Sequence, residues 1–262
     1  MGAARAFILH LERATGRRAT VEAVRAALPI ESEIVAAVDG ARLSPDEAAQ
    51  AYVRARFSPH YPFALGLPEI GAFLSHRAAW RRIVEDKLDF GVVFEDDATI
   101  DSERFARLLA FLCARLGTWD YVLTPAEGTD LPGETVAEAD GCLLVKPAAP
   151  PLRAIGQFVS RAAAERLLAM TAPFDRPIDT FLQMAWITGV PLLVAKPTPI
   201  RDVSRETGGT TVQRRRMGVV QRAHHEIMRP VYRAKVLALY RKDAARPGWT
   251  ATVRTAETPR RD

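Results

Sequence analysis

Cysteine is scarce: Cys113 and Cys142 are the only two in 262 residues, too few and too far apart for a metal knuckle or a disulfide framework. Long apolar runs are missing too, and stretches such as Val190 to Ala195 are far too short to cross a bilayer. The opening Met-Gly-Ala-Ala-Arg-Ala-Phe-Ile-Leu-His has no apolar core of signal-peptide length before its first charges. No internal repeat is visible. A glycine-rich phosphate loop is also lacking near the N-terminus, where Ala14-Thr15-Gly16-Arg17-Arg18 makes a poor substitute. These absences argue against membrane spanning, Sec export and a disulfide-held scaffold, and favour a cytosolic enzyme or binding domain.

What is present is ordinary for a packed protein, with 48% hydrophobic and 26% charged residues. The length suits one large domain or two small ones. The net charge of +5 is unevenly spread: residues 1–200 carry 21 Lys/Arg against 25 Asp/Glu, and residues 201–262 carry 15 against 6. The basic character belongs to the tail.

Periodicity predicts strands at Ala6–Leu11, Ile34–Val38, Phe90–Phe94, Trp119–Thr124, Cys142–Val145, Gly156–Val159 and Pro191–Lys196. Helices are expected over Arg17–Leu28, Pro68–Lys87 and the stretch carrying Phe105 to Leu116. Ser44-Pro45-Asp46-Glu47 reads as a capping box. Ser160 is read as the cap of a helix reaching Met170, and Pro177 as the start of one running to about Gly189. A Gly/Pro-rich loop is expected over 126–135. Alternating strands and helices predict an α/β fold with a mainly parallel sheet flanked by helices, whose ligands gather at the carboxyl ends of strands.

Glu95-Asp96-Asp97 stands at such an end, directly after Gly-Val-Val-Phe. Three adjacent carboxylates repel one another, and partial burial raises their pKa values unless a cation neutralises them. Along extended backbone Glu95 and Asp97 point one way and Asp96 the other. Two carboxylates on one side suit Mg²⁺ or Mn²⁺ with a diphosphate completing the shell. The plain alternative is a solvated acidic turn.

The segment Leu67-Pro68-Glu69-Ile70-Gly71-Ala72-Phe73-Leu74-Ser75-His76-Arg77-Ala78-Ala79-Trp80, followed by Val92-Val93-Phe94-Glu95-Asp96-Asp97, resembles glycosyltransferase family 25. That family comprises bacterial lipooligosaccharide galactosyltransferases and their collagen-modifying relatives. Further landmarks keep the family's order: Ile8 to Arg13 with Arg17-Arg18, Val38-Asp39-Gly40, Phe158 to Leu168, and Pro177-Ile178-Asp179. The sequence departs from the family's usual residues at His10 (Asn), Ala72 (Cys), Arg153-Ala154 (Gly-Thr) and Gln157 (Tyr).

The resemblance implies a GT-A-like single domain over residues 1–205, using a divalent cation and a UDP-sugar, commonly UDP-galactose. It assigns the cation, Mn²⁺ or Mg²⁺, to Glu95 and Asp97. Donor contacts fall to Leu11, Arg13, Arg17, Asp39, Gly40, Ser75, His76 and Asp96. An inverting transfer needs a general base, for which Asp179 ranks first and Glu69 second. Plain structural alternatives stand beside these roles. Arg13 and Arg17 could be solvated first-turn arginines, and Asp39 an Asp-Gly turn residue. Asp179 and Glu69 could complement a helix dipole, and His76 could be a packing residue that positions the acidic loop.

Residues 206–242 read as a basic amphipathic segment with a helix from Val219, kinked at Pro230, and 243–262 as a disordered tail. Arg214-Arg215-Arg216, Arg222, Arg229, Arg233, Lys235, Arg241 and Lys242 suit an anionic membrane surface. The alternative is a helix packed on the domain with a solvated basic face. No nucleic-acid recognition motif is visible. His224-His225, adjacent in a helix, do not put both rings on one face.

The resulting expectation is a cytoplasmic hexosyltransferase, peripheral on the inner face of the plasma membrane. It would move a hexose, galactose before others, from a UDP-sugar to lipopolysaccharide, lipooligosaccharide or another cell-envelope saccharide, with a few pocket contacts fixing the exact sugar. Two alternatives stay open: another metal-dependent nucleotide transferase, and a catalytically lapsed nucleotide- or glycan-binding protein.

Overall fold

The computed structural model describes residues 2–129, 131–207 and 219–249. The chain opens with β1 (Ala4–His10), α1 (Arg18–Ala27), β2 (Ser32–Ala36), α2 (Pro45–Ala51), α3 (Leu67–Glu85) and β3 (Phe90–Glu95). It continues through β4 (Ala98–Ile100), α4 (Ser102–Cys113), β5 (Tyr121–Leu123), β6 (Gly133–Ala139), β7 (Cys142–Pro147) and β8 (Gly156–Ser160). The remaining elements are α5 (Arg161–Met170), α6 (Ile178–Leu182), α7 (Ala185–Thr188), β9 (Leu192–Lys196), β10 (Ile200–Asp202) and α8 (Val219–Ala244).

Local chemistry accounts for several boundaries. Ser44 Oγ accepts from the Glu47 amide while Glu47 Oε2 accepts from the Ser44 amide, so the expected capping box starts α2. Ser160 Oγ accepts from Ala163 N at 3.0 Å and starts α5. The helix expected from Pro177 to Gly189 is instead two short helices, α6 and α7, separated at Gln183-Met184. Gly189 ends the second in a left-handed conformation.

Eight strands form one sheet in the order β2-β1-β3-β8-β5-β9-β7-β6, and β4 pairs with β10 in a separate ribbon. Helices flank the sheet, as an α/β fold requires, but the sheet is mixed rather than mainly parallel. β1 is parallel to β2 and β3, and β5 to β9, whereas the other four pairings are antiparallel. Parallel neighbours need a long crossover, and two connections here are not of that kind. β6 and β7 form a hairpin across Asp140-Gly141, both at positive φ, the signature of a tight two-residue turn. The chain then reaches β8 through an irregular segment, and β8 inserts antiparallel between β3 and β5.

Both faces of the sheet are covered, so its central strands read as continuous apolar runs. Ile8, Val92, Phe94 and Phe158 pack on one side with Phe105, Leu108 and Leu112 of α4. Phe7, Leu9, Val93 and Val159 pack on the other with Phe73, Trp80 and Ile83 of α3 and Leu167 of α5. Among the described residues no helix is long and apolar enough to cross a membrane.

α8 is docked on the domain. Tyr232, Val236 and Tyr240, one helical turn apart, are buried, and Tyr240 Oη donates to Pro147 O at 2.7 Å. Lys146 Nζ donates to Ala244 O at 2.6 Å, serving the helix's last carbonyls. The start of the expected disordered tail is folded: Trp249 is 2% exposed and its Nε1 donates to Asp243 Oδ2 at 2.8 Å. The segment 250–262 and the Arg214-Arg215-Arg216 triplet lie outside the described residues.

Candidate active site

The parallel trio β2-β1-β3 ends at one edge of the sheet, with Leu9 in register with Glu95. A cleft of about 190 Å³ opens there, between the loops after β1, β2 and β3 and the first turns of α3. Leu11, Arg13, Arg17, Asp39 and Gly40 line it from the first two loops. Ser75 and His76 line it from α3, and Glu95, Asp96 and Asp97 from the end of β3.

The three acids have distinct surroundings. Asp96 is buried and fully engaged: Arg17 Nη1 donates to its Oδ1, the Leu11 amide donates to Oδ2 at 3.3 Å, and His10 Nδ1 lies 3.1 Å from Oδ2. Arg17 also lies 3.4 Å from Asp97 Oδ2. The strict alternation expected of extended chain therefore breaks after Glu95, where the backbone turns and one guanidinium reaches two consecutive carboxylates. Asp97 Oδ1 is buried without a hydrogen-bond partner among the described residues. Burial and then the charge of Glu95 push the Asp97 carboxyl up to about 7, against the pull of Arg17.

Glu95 and Asp97 have the donor chemistry that a hard divalent cation needs, and the orphaned Asp97 oxygen is a natural ligand position. Among the described residues, no group of three or more His, Cys, Asp or Glu side chains gathers to hold a metal ion. Two carboxylates fit the mode in which Mg²⁺ or Mn²⁺ shares its shell with substrate phosphates and water. Asp96 does not fit as a ligand, because its oxygens are already spoken for.

The opposite wall is built from the loop after β2. Arg13 Nε donates to Asp39 Oδ2 at 3.0 Å, while Asp39 Oδ1 accepts from the Ala41 amide at 3.0 Å. Ser75 Oγ accepts from Val38 N at 2.8 Å and donates to Gly71 O at 2.7 Å, tying α3 to that loop. Gly40 is needed for close approach: a Cβ there would sit 2.0 Å from Leu67 O. Gly40 and Ser75 thus have structural reasons to be what they are. Arg17 is a buried counter-ion of the acids rather than a solvated first-turn residue.

The two candidate bases lie outside the cleft's lining. Glu69 closes a capping box at the start of α3, its Oε2 accepting from Gly66 N at 2.7 Å. Asp179 sits in the first turn of α6 and accepts from Thr180 N at 2.7 Å. Burial raises its pKa above the ordinary carboxylate value, and the charge of Glu95 adds to this, while hydrogen bonds from Thr180 and the Arg153 amide oppose it. Asp179 is thus within electrostatic reach of the acidic loop.

Four further residues join the site; His10, Arg153 and Gln157 were visible in the sequence as departures from the family pattern, without a role, and Asp202 was not visible at all. His10 holds Asp96, and Gln157, fully buried on β8, contacts His76. Asp202 arrives on β10 opposite Ala98 and raises the pKa of Asp97. Arg153 bridges to it, Nη1 donating to Asp202 Oδ2 at 2.6 Å. Burial alone would raise the Asp202 pKa, but bonds from Ser204 and Arg153 hold it below the ordinary value. No sequence spacing links these positions, since tertiary pairing brings them together.

The family model described as "Glycosyltransferase family 25 (LPS biosynthesis protein)" matches residues 3–124, the span that builds β1 through β5 and the acidic loop. The chain belongs to glycosyltransferase family 25. A family 25 member from Drosophila pseudoobscura pseudoobscura is 31% identical over 186 residues, covering 67% of this chain and 29% of that protein. The mouse protein named "Inactive glycosyltransferase 25 family member 3" is 29% identical over 192 residues, covering 70% of this chain and 32% of its own length. The chain spans about a third of the length of the curated family 25 relatives it matches. Among solved structures, a 4-diphosphocytidyl-2C-methyl-D-erythritol synthase from Anaerococcus prevotii aligns with a TM-score of 0.37 and 14% identity, over 79% of this chain and 94% of that one.

Proposed function

We propose that this family 25 member is a divalent-cation-dependent, inverting hexosyltransferase. On this reading it moves galactose from UDP-galactose to a lipopolysaccharide, lipooligosaccharide or related envelope saccharide. The observation that carries the proposal is the pairing of Glu95 with Asp97, whose buried Oδ1 has no hydrogen-bond partner among the described residues, at the carboxyl end of β3.

Glu95 and Asp97 would hold Mn²⁺ or Mg²⁺, which supplies Lewis-acid stabilisation of the charge developing on the departing nucleoside diphosphate. Arg17 keeps Asp96 and Asp97 in place and reduces their mutual repulsion. Arg13 and Asp39 line the nucleotide side, where a guanidinium and a carboxylate offer hydrogen bonds to phosphate and ribose. Asp179 takes the proton from the acceptor hydroxyl, and its raised pKa suits a general base.

The exposed side chains of α8 support a reading of a cytoplasmic enzyme docked peripherally on the inner leaflet. Arg222, Arg229, Arg233, Lys235, Arg241 and Lys242 are exposed along it, with Ile227 at 64% and Val231 at 42% exposure. Basic side chains around protruding aliphatics match an anionic lipid surface.

A catalytically lapsed nucleotide- or glycan-binding protein is the second reading, favoured by the word "inactive" in the name of the mouse relative. Calorimetry with UDP and UDP-galactose, in Mn²⁺ and in EDTA, separates the readings when paired with a transfer assay. Micromolar binding that needs both Mn²⁺ and Asp97, together with transfer, is the expected result. Binding without hydrolysis or transfer would establish the lapsed reading, and no binding in any condition would remove the UDP-sugar donor.

A further inference from the structure

Gln157 occupies an unusual place for an amide, at the centre of a buried polar chain that ends on the acidic loop. Its side chain is completely buried on β8, as are Tyr121 on β5 and His76 on α3. Tyr121 Oη donates to Gln157 Oε1, and Gln157 Nε2 donates to Ala154 O. The same Nε2 lies 3.2 Å from His76 Nδ1. His76 Nε2 in turn lies 3.5 Å from Glu95 Oε1.

The donor and acceptor roles in this chain can be worked out one atom at a time. A backbone carbonyl only accepts, so the group facing Ala154 O must be the NH₂ and not the oxygen of the amide. The amide oxygen therefore faces Tyr121, whose phenol burial keeps protonated and able to donate. One Nε2 hydrogen is used on Ala154 O, and the other points at His76 Nδ1. An amide NH₂ cannot accept, so His76 Nδ1 must carry a lone pair and no proton.

We infer that Gln157 is a positioning residue that fixes the ring of His76, its Nδ1 accepting from the amide and its Nε2 carrying the proton that faces Glu95. The Glu95 carboxylate is then presented with one oxygen toward a fixed ring N–H and the other toward the cleft. This arrangement is the one in which an outer partner orients a ligating carboxylate, and its consequence for cation binding rests on the proposed role of Glu95. The Glu95 backbone is held from the same segment, its amide donating to Ile155 O at 3.2 Å. One short stretch of chain before and within β8 therefore fixes both the backbone and the side-chain surroundings of this acid.

The test is ¹⁵N-resolved NMR of the histidine rings in the full chain without added metal, with His76→Asn identifying the His76 signals among the five histidines. The expected spectrum has a pyrrole-type Nε2 and an imine-type Nδ1 at His76, and Gln157→Leu is expected to lose that single tautomer. A protonated Nδ1 or a tautomer mixture in the parent chain would overturn the inference. So would an unchanged tautomer in Gln157→Leu. If that variant does not fold, the parent spectrum still decides.

Mn²⁺ binding followed by electron paramagnetic resonance supplies the consequence, with affinity expected to fall roughly tenfold or more in Gln157→Leu. Unchanged Mn²⁺ affinity in a folded Gln157→Leu would overturn the link to Glu95. A parent chain that binds no Mn²⁺, yet shows the Nε2–H tautomer, would sink the cation reading of Glu95 and leave the assignment of His76 standing.

Discussion

Arg17 and Asp96 form a buried ion pair between the loop after β1 and the loop after β3, the guanidinium donating to Asp96 Oδ1 while also lying 3.4 Å from Asp97. The pair joins two loops that are 79 residues apart in sequence, and both residues line the cleft while almost wholly buried. Burying a charge is costly unless it is matched, so each partner depends on the other.

Arg17→Met should therefore destabilise the fold by about 3–5 kcal/mol, because it leaves a buried carboxylate without its counter-ion. Chemical denaturation of parent and variant measures this directly. A loss under about 1 kcal/mol would mean that Asp96 is solvated or protonated without Arg17.

Asp179 gives a pH dependence whose sign follows from its raised pKa. A carboxyl with a higher pKa folded than unfolded favours the protonated form in the folded chain. Whatever stability it lends is present below the ordinary carboxylate range and is lost as pH rises through the folded value. Asp179→Asn mimics the protonated form. The variant should be more stable than the parent at neutral pH, with the two converging in acid, as thermal unfolding across pH would reveal. Its transfer activity should fall by roughly 10²- to 10⁴-fold if Asp179 is the base.

Arg153 holds a left-handed backbone, φ 76°, while its side chain engages Asp202. Arg153→Ala removes the ion pair and keeps the backbone strain, whereas Arg153→Gly removes both. The glycine variant should exceed the alanine variant in stability by about 1 kcal/mol. Equal stabilities in urea denaturation would show that the left-handed conformation costs nothing here.

Trp249 packs edge-on against Tyr240, with ring centroids 5.7 Å apart, and lies under Lys146 Nζ. Trp249→Ala should cost about 3–5 kcal/mol, as expected for a large aromatic removed from a buried site. Urea denaturation of parent and variant checks this, and a cost below about 1 kcal/mol would show that the site closes around the lost ring.

Much of the architecture was legible because its signals are local. Ser44 and Glu47 need only each other to start α2, and Phe90 to Phe94 announce a strand covered on both faces. β6 escaped notice because it is an exposed edge strand with little apolar alternation, although Asp140-Gly141 was a hairpin signal in plain view. The acidic triplet could be read as a site because β3 carries it to the edge of the sheet.

The sequence by itself determined the α/β alternation, the helix caps and the placement of Glu95-Asp96-Asp97 after a buried strand. Short-range periodicity and neighbouring-residue chemistry suffice for these. Only the tertiary structure decided that Asp96 belongs to Arg17 and His10, that Asp202 stands beside Asp97, and that Gln157 meets His76. Those partners come from a loop, a helix and strands distant in sequence, and they meet only once β8 has paired with β3 and β10 with β4. Burial then sets which charge is matched and which oxygen is left without a partner, and burial is a property of the whole fold rather than of any segment.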